Sequence, residues 1–291
     1  MNRRILNSIL AISCLTMLFL IFSTTFPETA PAIATIDPDQ LVFFQSLEER
    51  LQELTETQDG IIGMAYIHLD TGHQISINGD ELFLAASTQK LPTHLIIAEL
   101  VRDGFLDWGD LVTYHEDRHF ETGTGKLQFE ALTGEKFPVQ ELLELSITYS
   151  DNIAHSMLVE LFAQDRAQRY EAFFTRYLPD YEEWELGYLS PNQLATILAY
   201  LYRHLHEIPE YEMVFNFMSR TLFPERLLTP TTRGAIARTI GSFDPNFHDM
   251  GIFSHPEGSY ILAIMTLDMG HPAATEFMAN LSDELWELHF R

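Results

Sequence analysis

Residues 85–101, AASTQKLPTHLIIAELV, decide the reading of this chain. Two alanines lead into Ser87-Thr88-Gln89-Lys90. Apolar residues at helical spacing follow, so the tetrapeptide stands at the head of a helix expected over 88–103. Residues three apart share a helix face, which puts the Lys90 amine beside the Ser87 hydroxyl. A serine hydroxyl becomes a useful nucleophile only when a neighbour takes its proton. A lysine can do that once burial lowers its pKa. The helix N-terminus adds N–H groups and a positive dipole where an oxyanion would develop. Taken alone, S-x-x-K also fits a serine N-cap followed by a solvated lysine.

Working outward, residues 38–58 carry Leu41, Phe44, Leu47, Leu51 and Leu54 on one helical stripe. Residues 61–69 read as a strand, Asp70-Thr71-Gly72 as a turn and 73–78 as a second strand. Helical periodicity then dominates at 138–148, 151–163, 165–178, 191–206 and 209–222. Strands return at 235–242, 247–255 and 259–267, with His255-Pro256-Glu257-Gly258 as a hairpin turn, and an amphipathic helix over 272–289 closes the chain. The expected class is therefore α/β in the α+β sense: an antiparallel sheet built from both chain ends and flanked by helices, with an inserted all-helical domain. The expected domains are 35–86 with 223–291 for the sheet and 87–222 for the helices, with the site in the cleft between them.

Two further pieces carry chemistry. Ser150-Asp151-Asn152 separates two predicted helices. Its residues suit an N-cap, and they also suit a proton-relaying hydroxyl (Ser150) beside a substrate-binding amide (Asn152). Thr239-Ile240-Gly241-Ser242 lies on a late strand, where Gly241 admits close approach and the Ser242 N–H can face an oxyanion.

S-x-x-K, then S-D-N, then a K-T-G-like strand, in that order, resembles the signature of class A β-lactamases and penicillin-binding proteins. The resemblance covers about residues 38–289. It implies the β-lactamase/transpeptidase-like fold and acyl transfer through a covalent acyl-Ser87 on β-lactams or cell-wall peptide-like amides. By it, Lys90 is the general base, Ser150 the proton relay, Asn152, Thr239 and Gly241 substrate contacts, and Ser242 a backbone oxyanion contact. Two departures stand out. Thr239 occupies the place of the family's strand lysine, and Arg238 beside it points to the opposite face, leaving Arg233 and Arg226 as the cations to consider for a substrate carboxylate. Between Leu178 and Ser190 no E-x-x-L-N pattern appears, and Glu182, Glu183 and Glu185 read as solvated acids. Slow turnover of penicillins, or none, is the expectation. A catalytically impaired cell-wall-binding module on the same fold is the alternative.

His115-Glu116-Asp117-Arg118-His119 matches the zinc-protease pattern H-E-x-x-H. A strand-like stretch before it and Glu121-Thr-Gly-Thr-Gly125 after it predict an exposed polar loop instead. No metal is assigned, and without a phosphate loop or dinucleotide fingerprint no cofactor is expected.

Composition sets the remaining bounds. The chain has 291 residues, 46% hydrophobic and 20% charged, with a formal charge of -25. Such a surface repels phosphate backbones, so nucleic acid is not an expected partner. The single cysteine, Cys14, excludes an internal disulfide. Arg3 and Arg4 precede the apolar run 5–22, and residues 1–34 read as an export signal or, uncleaved, as a membrane anchor. The rest of the chain is expected to work outside the cytoplasm. Trp108, Trp184 and Trp286 read as packing residues.

Overall fold

Two strands, at 61–68 and 260–267, are nearly continuous apolar runs because both of their faces are buried. The computed structural model describes residues 38–178 and 187–289. The export segment and the glutamates of 182–185 lie outside the described residues, as does Trp184.

Helix α1 (Pro38–Glu56) leads into β1 (Ile61–His68) and β2 (Gln74–Ile77). The chain returns to this sheet only at β7 (Ile236–Phe243), β8 (Asn246–Phe253) and β9 (Tyr260–Leu267), before the closing helix α10 (His271–Leu288). The sheet is antiparallel, in the order β2-β1-β9-β8-β7. Both chain ends therefore build it, as the sequence predicts. Pairing of Ile61 with Leu267 and of His68 with Tyr260 joins the first strand to the last.

Ala65, Ile67, Met250, Ile252, Ile261, Ala263 and Met265 face the helical side. Ile62, Met64, Tyr66, Leu262 and Ile264 face α1 and α10, where Phe44, Leu47, Leu51, Phe277, Met278 and Leu281 meet them. A strand buried on both faces loses the polar half of its pattern, which is why 260–267 reads as one apolar run. Arg50 grips Glu284 through two hydrogen bonds of 2.6 and 3.2 Å and ties α1 to α10.

Between the sheet's two halves lie β3 (Phe83–Leu84), a 3-10 turn (Ala86–Gln89), α2 (Lys90–Arg102), β4 (Leu111–Thr113), α3 (Glu116–His119), α4 (Leu127–Glu130) and β5 (Lys136–Pro138). Then come α5 (Val139–Thr148), α6 (Asn152–Glu160), α7 (Arg166–Tyr177), β6 (Tyr188–Leu189), α8 (Pro191–Arg203) and α9 (Pro209–Met218). Ser190 starts α8 with a capping box to Gln193 and proline at the first turn. One apolar cluster runs from the sheet's inner face through α2, α5, α6, α7, α8 and α9.

A group of histidines closes the far side of the sheet. His68 and His289 stack with centroids 5.7 Å apart, His255 lies 5.0 Å from His289, and His73 stacks on Phe44 at 3.9 Å. The Tyr66 hydroxyl meets His289 Nε2 at 3.0 Å. Burial, with His255 and His68 alongside, pushes the His289 pKa down to about 3. Burial lowers those of His68 and His255 too. These rings are neutral when folded, whereas the unfolded chain binds protons near pH 6.5. Stability is therefore full above about pH 6.5 and is lost as the pH falls. His289 alone contributes a loss of about 2 kcal/mol by pH 5. Urea unfolding at pH 7.5 and pH 5 is expected to show a lower midpoint at pH 5, with part of the drop removed in His289→Leu. Equal midpoints would contradict this reading.

Candidate active site

The helix predicted from residue 88 begins as α-helix only at Lys90, after the 3-10 turn over Ala86–Gln89. In a 3-10 turn residues i and i+3 eclipse each other, so Ser87 and Lys90 share one face more closely than in an α-helix. The turn is held from several sides. Thr88 donates both its N–H and its hydroxyl to Ala85 O, at 3.1 and 2.6 Å. Ala85 N–H donates to Gly187 O at 2.8 Å. His248, fully buried on β8, accepts the Thr266 N–H at Nδ1 (3.1 Å), so its Nε2 carries the proton and donates to Leu84 O at 2.9 Å. Ala86 takes a left-handed φ of 48°, a conformation that costs a non-glycine residue about 1 kcal/mol or more.

Lys90 is 5% exposed. Its Nζ donates to Ser150 O at 2.6 Å, to Ser150 Oγ at 3.3 Å and to Asn152 Oδ1 at 2.7 Å. The sequence-predicted amine and the hydroxyl from the distant S-D-N loop thus come together. Burial brings the Lys90 pKa down to about 7, against the opposing pull of Asp151 and Glu121. Near neutral pH a large fraction of this amine is therefore free base. His94 beneath it is pushed to about 3 by burial and by Lys90.

The S-D-N loop is built by Asp151. Its Oδ1 caps α6 by accepting the Ala154 N–H at 3.0 Å, and its Oδ2 accepts from Lys126 N and Leu127 N at 2.8 and 2.9 Å. Gly125 is needed here, since a side chain on it would meet the Asp151 carboxyl at 2.3 Å. Ser150 is left-handed, at φ 51°. Two of the five left-handed non-glycine residues among the described residues thus flank Lys90, as expected where surrounding contacts over-determine a strained geometry. Asn152 gives one amide hydrogen to Thr122 O at 2.9 Å, so its side chain is partly committed to the protein itself.

β7 forms the opposite wall. The close approach that Gly241 permits is to the protein's own turn: a Cβ there would lie 2.8 Å from Ala85 O and 3.1 Å from Thr88 Cγ2. Thr239 shares this face by alternation and is buried. β7 is an edge strand, so alternate N–H groups point off the sheet, and Ser242 stands exposed near its end. Arg226 does not reach toward a ligand. Its buried guanidinium donates to Gly241 O (2.9 Å), His248 O (2.6 Å) and Ser242 Oγ (2.5 Å), and so braces β7 from behind. Arg238, equally buried, pairs with Asp249 and donates to Phe223 O. Arg233 is exposed and lines a groove with Arg220 and Leu222 at the start of β7.

A cleft of about 220 Å³ adjoins the Lys90 side, lined by Gln89, Glu121, His155, Ser156 and Tyr188 among others. The sequence reading missed Glu121, Thr122 and Thr124, whose only signal was the glycine-rich run that carries them. Thr124 Oγ1 donates to Ser150 O at 2.7 Å.

The H-E-x-x-H segment is a single helical turn where the sequence predicts a loop; Glu116, Asp117 and Arg118 are exposed as predicted, and His119 is not. His119 is 2% exposed, with Nδ1 accepting the His115 N–H at 3.0 Å and Nε2 on Glu160 at 2.9 Å. Both ring nitrogens are engaged. Among the described residues no group of three or more His, Cys, Asp or Glu is placed to hold a metal ion.

Comparison with known proteins gives the family and the same fold. The extended-spectrum β-lactamase PER-1 of Pseudomonas aeruginosa is 28% identical over 117 residues, which is 40% of this chain and 38% of that protein. A β-lactamase of Proteus vulgaris is 27% identical over 158 residues, 48% of this chain and 47% of that one. The chain thus spans less than half the length of the curated relatives it matches. Among solved structures, PBP-A is 25% identical with a TM-score of 0.74, over 83% of this chain and 95% of that one, and a mutant of it is an acyl-enzyme complex with penicillin-G. The family model described as β-lactamase enzyme family matches residues 46–288, and by that match the chain belongs to the β-lactamase enzyme family.

Proposed function

We propose that the protein is an exported serine acyl-transfer hydrolase in which Ser87 takes an acyl group from a β-lactam or a cell-wall peptide-like amide. The observation that carries this is the Lys90 amine: buried, brought to a pKa of about 7, and held by three acceptors on Ser150 and Asn152 beside the Ser87 turn. Lys90 Nζ takes the Ser87 proton as Ser87 Oγ bonds to the carbonyl carbon. The oxygen turned oxyanion is met by the Ser87 and Ser242 N–H groups. The carbonyl C–N bond then breaks, and the leaving nitrogen takes a proton from Ser150 Oγ, which Lys90 reprotonates. Release of the acyl group by water is slow in this reading, because the 178–190 segment shows no full E-x-x-L-N pattern: Glu183-Trp-Glu-Leu186 is followed by Gly187 and not by asparagine. Export rests on Arg3 and Arg4 followed by the apolar run 5–22.

Intact mass spectrometry after incubation with penicillin-G, chosen because the PBP-A mutant holds it as an acyl-enzyme, tests the proposal. The expected result is a long-lived adduct of one penicillin mass on the peptide containing Ser87. No adduct from any β-lactam or activated ester would favour a non-catalytic binding module.

A further inference from the structure

We propose that this site selects acyl donors that carry no carboxylate at the end facing β7, and takes instead a neutral group such as an amide or ester there. The inference rests on the acyl-Ser87 reading above and names the substrate class for that same site.

An anionic donor needs a cation it can reach; the buried cations beside the Gly241 end of β7 are already committed, and exposed Arg233 lines a separate groove at the strand's start. Thr239, on the β7 face that packs on the Ser87 turn, is a neutral hydroxyl. Arg226 spends its guanidinium on Gly241 O, His248 O and Ser242 Oγ, and is 1% exposed. Turning it outward would strip two buried carbonyls of a donor. Arg238 is likewise 1% exposed and bound to Asp249 and Phe223 O. Lys126, beside the S-D-N loop, pairs with Glu130 at 4.0 Å and sits over the Tyr149 ring. Lys90 has three acceptors on its amine.

The field of the cleft adds to this. Glu121 is exposed, lines the cleft and acts on Lys90. The cation lining the same cleft, Arg166, sits over the Tyr170 ring. The chain as a whole carries a formal charge of -25. A carboxylate entering from solvent therefore meets a net negative field, and the buried cations beside β7 are held by the protein's own acceptors. One uncompensated charge worth a single pKa unit of free energy changes a rate by about tenfold.

Penicillin G and its methyl ester differ in this one charge. Ser87 acylation by each is followed by time-resolved intact mass, and each rate is divided by the compound's own hydrolysis rate in hydroxide. The expected result is that the ester acylates faster, by about tenfold, and that added salt speeds the acid more than the ester. Thr239→Lys, checked for a native unfolding midpoint, is expected to bring the acid level with the ester or ahead of it. An acid that acylates the unsubstituted protein as fast as the ester, or faster, would overturn the inference and leave the acyl-serine mechanism standing. If neither compound labels Ser87, the mechanism itself falls, and this inference with it.

Discussion

Lys90→Met is expected to slow acylation of Ser87 by a factor between about one hundred and ten thousand, the usual contribution of a positioned general base. Methionine has nearly the length of lysine and suits a buried site, so the change removes the amine without opening a large cavity. Ser150 O keeps a donor, the Thr124 hydroxyl at 2.7 Å. Asn152 Oδ1 loses Lys90, a cost of about 1–3 kcal/mol set against the relief of no longer burying an amine. The variant should therefore fold with a near-native urea midpoint. Rates come from the growth of the Ser87 adduct, measured beside that midpoint. An acylation rate within twofold of the unsubstituted protein would rule Lys90 out as the base.

Asp249→Asn is expected to cost about 3–5 kcal/mol, out of the roughly 5–15 kcal/mol that stabilise an ordinary domain. Asp249 is fully buried, pairs with the buried Arg238, accepts the Leu227 N–H at 3.0 Å and lies near the buried Arg226. Removing its charge leaves two buried guanidiniums without their shared counter-ion, and the near-identical shape of asparagine supplies none. Breaking one side of a buried pair costs more than replacing both sides by apolar groups. Arg238→Met with Asp249→Leu should therefore lose less than Asp249→Asn alone. Urea unfolding at pH 7.5 compares them, and a double variant less stable than the single one would contradict the argument. Arg226 also holds the Gly241 and Ser242 end of β7, so the single variant should acylate more slowly as well.

The features legible in the sequence were those that local pattern encodes. The α1 stripe, the capping box at Ser190 and the strand over 260–267 all follow from spacing, and the helix ends fall within a few residues of their predicted places. The order of the three short motifs was legible too, and with it the family. What depends on contacts far apart in the chain was not. Nothing near His248 announces that its ring bridges the Thr266 N–H and Leu84 O. Arg226 looked like a cation available to substrate, but its partners lie on β7 and β8, 15 and 22 residues away. His119 read as exposed because Glu160, which binds it, is 41 residues on. The left-handed Ala86 and Ser150 follow from the packing of the turn and the loop, not from residue preference.

The central claim is that a partly neutral Lys90 draws the proton from Ser87, and the pH dependence of acylation tests it most directly. The second-order rate of Ser87 labelling by penicillin-G, followed by intact mass from pH 5 to pH 9, reports the free enzyme's essential groups. The account predicts a rate that climbs with pH and levels off, with a midpoint near the Lys90 value of about 7. A rate that is flat over this range, or one still rising at pH 9 as for a lysine of ordinary pKa, would contradict it.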